Sequence, residues 1–329
     1  MGGTAVASGA NSIAFGDLAF AEVTHSFALG EHARATGRGA LAIGYHDGST
    51  DYTEATAAFS FAMGMGTRAL RLGSFSIGNA NIVNGAYSMG FGIINNITAS
   101  NAFAFGRENK ATKQYSFSAG HLNEAKGYAS FAQGSFSVAE GEHSQALGFY
   151  SYAKGDFSFA ASSGTANGTH SFAFGGAQAT GEFSFAFGRP SAIASGSGAV
   201  VFGQSEATGD GAIAMGSYNK ASNYYSIAMG RESKALGAYA LAIGQENESI
   251  STGSIALGRF SKAIERYSVA LGESTISSGI FAVSNGFNTA AEGQHSIAFG
   301  DGTVARGNFS YAHGWGSYAR GHYSFAHGH

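Results

Sequence analysis

Histidine and serine stand side by side at His25-Ser26, His143-Ser144, His170-Ser171 and His295-Ser296. Such a pair can supply a base and a hydroxyl nucleophile, but only where the serine is free to reach a substrate. Here the pairs recur at one fixed place in a repeat whose serine faces inward, so they predict packing and no catalysis. His313 and His327 also hold equivalent places, in a column otherwise filled by Phe, Ile, Leu and Met. Stacked imidazoles offer ligands to a transition metal or an anion, or a charge change near neutral pH; polar fraying of the column near its end is the plainer reading. A third cluster, Tyr45, His46, Asp47, Asp51 and Tyr52, lies in the segment YHDGSTDY. Its carboxylates, imidazole and rings could contact a cation or a sugar, against a solvated loop as the plain alternative.

What must position these residues is a repeat. From Tyr224 to Gly258 one phrase recurs: a small residue, any residue, Ala, any residue, Gly, then two free positions. Two unlike halves make a period of about 14 residues. Each half alternates small and large with a period of two, which belongs to strands and not to helices. A period is therefore two short strands and two tight turns, one coil of a parallel β-helix or β-roll. The glycine ending the stronger half allows positive φ or close passage of a neighbouring coil. The whole chain, 1–329, reads as a single repeat domain with a loop insertion at 45–52 and irregular coils at 149–203, where the expected glycine is Ser162, two coils fall one residue short of the period and Arg189-Pro190 opens one that exceeds it by one residue.

So narrow a coil has no room for two layers of Phe and Ile, so Ser and Ala point inward and the large residues outward. Three places before each strong glycine stand Phe27, Phe61, Phe75, Phe103, Phe117, Phe131, Phe159, Phe172, Phe185, Ile227, Ile255 and Phe325, with Gln145 as a polar break. Met229 stands in the companion column one place before the glycine. The weaker half shows Arg34, Lys110, Glu124, Lys126 and Glu206 outward, a solvated side. About 23 coils spaced by about 4.8 Å stack to roughly 110 Å. An apolar stripe of that length exceeds what a soluble monomer leaves bare, which predicts self-association through these columns. A further column, including Tyr87, Tyr115, His143, Phe157, Tyr225, Tyr239 and Tyr323, precedes the strong strand. By parity it falls on the same outer face, as a flank of the interface; a stacked aromatic ladder is also a sugar-binding strip.

Composition narrows the function. A net charge of −3 gives no general pull toward nucleic acid. Cysteine is absent, so disulfide and thiolate chemistry are excluded. A single proline argues against collagen, and 13% aromatic against 12% charged residues argue against disorder. No phosphate loop or dinucleotide motif appears, so no cofactor is expected. There is no run of about 18 apolar residues, so this segment is expected not to insert into a membrane. The register is already running at Ala5 and still in phase at Gly328, as in a piece cut from a longer protein or a subunit whose ends meet other ends.

NSIAFG at Asn11 to Gly16, HSFALG at His25 to Gly30, YSIAMG at Tyr225 to Gly230 and YSVALG at Tyr267 to Gly272 resemble the head repeat of trimeric autotransporter adhesins, the YadA-like heads of bacterial surfaces. The likeness covers nearly the whole chain. It implies a left-handed parallel β-roll, all-β, with three rolls packed as a homotrimer by their apolar strand faces. It implies no enzyme but a surface adhesin head, extracellular or on the bacterial cell surface, attaching to host or matrix surfaces through a matrix protein or a glycan receptor. Similar repeats also build phage tail fibres, so a receptor-binding fibre on a virion is the first alternative and a structural self-assembling filament the second.

Overall fold

Alternating small and large side chains coil the chain as their period requires. The computed structural model describes residues 4–45 and 51–328, and every regular element among them is a β-strand. Two compact units divide at Gly164 and Thr165, within the stretch of irregular coils. In the first unit a strand such as Phe103–Arg107 is followed by a two-residue strand such as Lys110–Ala111. Each pairs in parallel with its counterpart in the next coil, Phe103 with Phe117 and Lys110 with Glu124. The second unit repeats the scheme: Ile227–Arg231 lies on Leu241–Gln245, and Lys234–Ala235 on Glu248–Ser249. The parallel solenoid with coils of about 14 residues is as the sequence predicts.

Glycine sets the distance between coils. Gly244 has φ +125, and a methyl group added there would run into the carbonyl oxygen of Gly258. Both of glycine's properties are thus used at one position, positive φ and close approach. The glycines of the weaker half have a different reason. Gly127 does not have positive φ, yet its added methyl would meet the Gly141 carbonyl.

The interior is a file of Ala and Ser, most of them fully buried, as at Ala104, Ala111, Ser116 and Ser118. Ile97, Val83 and Val201 are the largest buried side chains. Room for the first two comes from Gly90, whose added Cβ would lie 2.8 Å from Ile97 Cδ1 and 2.9 Å from Val83 Cγ2. Asn81, Asn95, Asn109 and Asn123 are also fully buried, and they form a ladder. The Asn95 side-chain amide donates to the Phe91 and Gly106 carbonyls, both at 2.9 Å. Its Oδ1 accepts the backbone N–H of Asn109, also at 2.9 Å. Each asparagine therefore ties its own coil to the next and leaves no polar group unpaired at either end of its amide.

The histidine-serine pairs close turns. Ser144, fully buried, donates its hydroxyl to the Gly141 carbonyl at 2.7 Å, and Ser26 donates to the Val23 carbonyl at 2.6 Å. The residue before each serine adopts the left-handed conformation: His25, Tyr87, His143, Phe157 and Tyr225 all have φ between 51 and 59. These residues lie in turns, so strand parity does not place their side chains, contrary to the sequence expectation. A left-handed turn at a residue other than glycine costs about 1 kcal/mol. The N–H donated one coil back offsets it, as from His143 to the Tyr128 carbonyl at 2.8 Å, and so does ring stacking where adjacent coils both carry a ring, as at His143, Phe157 and Tyr225. Pro190, which has no N–H to give, sits in a turn.

Two substitutions test this packing. Gly90→Ala overfills the space beside Val83 and Ile97 and lowers stability by about 1–3 kcal/mol; adding Ile97→Val, which removes Cδ1, recovers part of the loss in thermal unfolding. A double variant no more stable than the single one would contradict the account. Asn109→Ala removes the amide donated to the Phe105 and Gly120 carbonyls and leaves the Asn123 N–H without its acceptor, a loss of about 1–3 kcal/mol. Hydrogen exchange should accelerate around residues 95–123 in that variant.

Candidate functional site

Four kinds of side-chain column leave the coils, and their geometry decides what each can do. On the strong strand the outward residues include Phe61 and Phe75, whose rings stack at 4.4 Å between centroids. From Phe75 the run crosses to the companion column at Phe91 and Phe105, 5.5 and 5.1 Å onward, and returns to Phe117 and Phe131 at 5.7 and 4.8 Å. In the second unit Phe172 stacks on Phe185 at 4.8 Å, Phe174 on Phe187 at 5.0 Å, and Tyr311 on Phe325 at 5.3 Å.

This stacking covers the faces of the rings and leaves their outer edges bare. Phe61, Phe75, Phe103, Phe117, Phe131, Phe159, Phe172, Phe185, Ile227, Met229 and Ile255 are all half-buried, while Phe27 is 37% and Phe325 71% exposed. The sequence reading thus places the columns outward, where the structure has them. It passes over Gln133, an exposed polar residue in the companion column beside Phe131.

The left-handed turn residues form a second set of ring columns. His143 stacks on Phe157 at 5.1 Å and His170 on Phe183 at 4.9 Å. Tyr267, Phe281, His295, Phe309 and Tyr323 make one stack, with centroids 4.9 to 5.2 Å apart and planes within 13°. Rings so arranged use their faces on one another and show solvent mainly their edges. A sugar ring packs on an aromatic face, so the stacked interior of this ladder is a poor strip for one.

Charged residues of the weaker strand form a third set. Glu124 lies between Lys110, 2.7 Å away, and Lys126, which also reaches Glu140 at 3.6 Å. Hydrogen bonds from Lys110 and then Lys126 hold the Glu124 carboxyl below its ordinary 4.5, and the bond from Glu124 raises Lys126 above 10.5. Glu248 stands between Lys234 and Lys262, each at 3.1 Å. Burial pushes its carboxyl up, but the two lysine hydrogen bonds outweigh that and lower it.

The fourth set comprises single features. Tyr52 stacks on His32 at 5.0 Å and helps line a cleft of about 240 Å³ with Phe20, Glu22 and Arg34. Tyr52 also lines a second cleft, together with Asp51, Glu54 and Arg68, and Tyr45 is exposed. His46 and Asp47 lie outside the described residues. His313 and His327 stack at 5.0 Å with their Nδ1 atoms 3.0 Å apart, a hydrogen bond in which one ring donates and the other accepts. Among the described residues no group of three or more His, Cys, Asp or Glu side chains could hold a metal ion.

Nine stretches match the family model for the YadA head domain repeat (2 copies): residues 1–19, 24–46, 125–151, 166–189, 207–233, 221–247, 249–275, 277–303 and 291–317. Together they span more than half of the chain. The unmatched residues 51–124 coil in the same way and contain the asparagine ladder. No curated protein matches the chain.

The lysine-glutamate column predicts a pH signature. Glu124 is lowered, so its contribution is in place above pH 4.5 and is lost as pH falls through the folded value; Lys126 is raised, so its contribution is in place below pH 10.5 and is lost as pH rises through the folded value. Glu124→Gln should therefore cost stability between those limits, by no more than about 1 kcal/mol for so exposed a cluster. The gap between parent and variant should narrow toward about pH 3 in urea unfolding. A gap that stays constant down to that pH would show that the ion pairs are not its source.

Proposed function

This chain belongs to the YadA head repeat family, and we propose that it is the head of a trimeric surface adhesin, with left-handed rolls packed in threes by their Phe and Ile columns. The carrying observation is the apolar run on the strong strands. Phe61, Phe75, Phe91, Phe105, Phe117 and Phe131 cover one another only by stacking, and their outer edges stay bare. A continuous apolar surface of this kind is characteristic of an interface, and identical chains bring identical columns to it. The solvated faces then remain for attachment to a matrix protein or a glycan on another surface.

Such a role places the chain outside the cell, on the bacterial surface. It also gives the chain no reaction to catalyse. The serines of the repeated histidine-serine pairs, Ser26, Ser144, Ser171 and Ser296, are all buried and so closed off from substrate; Ser26 and Ser144 donate their hydroxyls to turn carbonyls. His313 and His327 supply two imidazoles per chain, so a metal on the assembly axis would take its remaining ligands from other copies.

Phe103→Asp is the direct test. In the single chain Phe103 is half-buried, so the coil tolerates the change, whereas in a dry interface an unpaired carboxylate costs several kcal/mol. Sedimentation should show a trimer for the parent and a monomer for the variant, with unchanged circular dichroism. A monomeric parent, or a variant that assembles as well as the parent, would overturn the packing. Retention of the parent on immobilised matrix proteins or cells tests attachment, and its absence on all of them would overturn the adhesin assignment.

A further inference from the structure

Aromatic residues also occupy the other turn of some coils, after the strong strand; Phe136 and Tyr150 stack there at 4.9 Å, whereas the next ones along the chain stand apart. Tyr218 and Phe260 both adopt the left-handed conformation, and in the two coils between them the equivalent places hold Glu232 and Glu246. The result is a groove of about 350 Å³ with an aromatic ring at each end. Its floor is the weaker strand, where Glu248 is held at 3.1 Å by Lys234 on one side and by Lys262 on the other. Along its rim Arg231 reaches Glu232 at 3.3 Å and Glu246 at 3.5 Å. The ring of Phe260 has Arg259 over it at 4.9 Å, and that guanidinium also reaches Glu273 at 3.2 Å, one coil beyond the groove. Arg259 is not among the residues that line the groove.

The charges decide which ligand fits. Lysine-glutamate-lysine on the floor and glutamate-arginine-glutamate on the rim sum to zero, and every member already has an opposite partner. A free ion gains no net attraction there and would have to break an existing pair. A peptide strand finds no free edge either, because Lys234 N–H donates to the Asn247 carbonyl at 2.7 Å and Glu248 N–H to the Ser261 carbonyl at 2.9 Å. The groove does offer fixed carboxylate acceptors, fixed ammonium donors and two separated aromatic rings. Sugar hydroxyls both donate and accept, and the C–H face of a pyranose packs on an aromatic ring. The volume lies at the small end of the roughly 300–1,000 Å³ typical of ligand pockets.

We infer that this groove binds a neutral oligosaccharide, of di- or trisaccharide size, between Tyr218 and Phe260. It opens on the weaker-strand face, away from the apolar columns, so packing by those columns leaves it accessible. The inference gives the adhesin reading a ligand class and rests on that reading for its biological meaning, although sugar binding can be measured independently.

The test is an array of neutral, sialylated and sulfated di- and trisaccharides probed with the full chain, followed by titration of neutral hits at low and high salt. The variants are Tyr218→Asn and Phe260→Asn, since asparagine accepts the left-handed conformation, with Tyr239→Asn in the stacked ladder as control and circular dichroism as the check on folding. Neutral sugars should bind the parent with little salt dependence. Each groove variant should bind about tenfold more weakly, a difference of about 1.4 kcal/mol, and the control should match the parent. Binding of no neutral sugar, binding undiminished in both groove variants, or binding confined to acidic sugars and abolished by salt would each overturn the inference. A chain that forms trimers and adheres to matrix but ignores every sugar sinks this proposal alone; a monomeric chain that binds neutral sugars through Tyr218 and Phe260 supports it and sinks the trimer.

Discussion

Consecutive coils pass so close at the strong glycines that no side-chain atom fits between them. At Gly244 an added methyl would collide with the Gly258 carbonyl, and the same holds from Gly258 to Gly272 and onward to Gly286. The rest follows from that close approach. A tight turn with positive φ keeps the coil narrow, the narrow lumen admits Ala and Ser, and the strand's alternation then sends Phe, Ile and Met outward. The outward apolar columns are in this sense a consequence of a small interior. The core that the coil cannot build within itself is left on its surface, where another chain can complete it.

Stacking each residue on its counterpart in the next coil suits some side chains and penalises others. Asparagine gains, because its amide both donates and accepts and a ladder of them is self-satisfying, as from Asn81 to Asn123. Aromatic rings gain through face contacts at close to the coil spacing. Charges do not, and the solution is alternation, as in Lys110 and Glu124 or Lys234, Glu248 and Lys262. Where two lysines are neighbours, Lys220 turns back toward Glu206 at 3.8 Å and Lys234 turns forward to Glu248. Like charges are thereby aimed apart.

The same stacking separates two uses of aromatic residues. Rings in unbroken files, whether on the strong strand or in the first turn, spend their faces on each other and stiffen the coil. Tyr218 and Phe260, separated by Glu232 and Glu246, line a groove instead of stacking on one another. A break in the repeat is then the informative position, more so than the repeat itself, because only there does a coil differ from the coil beside it.

Coil length, strand period, the Ala and Ser interior and the outward Phe columns were legible in the amino-acid sequence, because a period of two and a regularly spaced glycine are local constraints that every coil repeats. The family was legible for the same reason. Three things were decided only by tertiary structure. Strand parity put the column of Tyr87 and His143 on the strand's outer face, but these residues take the left-handed conformation in turns, held by hydrogen bonds one coil back that no local rule reveals. The buried amides of Asn81 and Asn95 are satisfied by carbonyls of neighbouring coils, partners that lie 11 residues away in the chain. The groove between Tyr218 and Phe260 joins residues distant in sequence, and whether their faces are open depends on what stacks between them. Sequence fixes which residues share a column; only the stacked coils decide what each one touches.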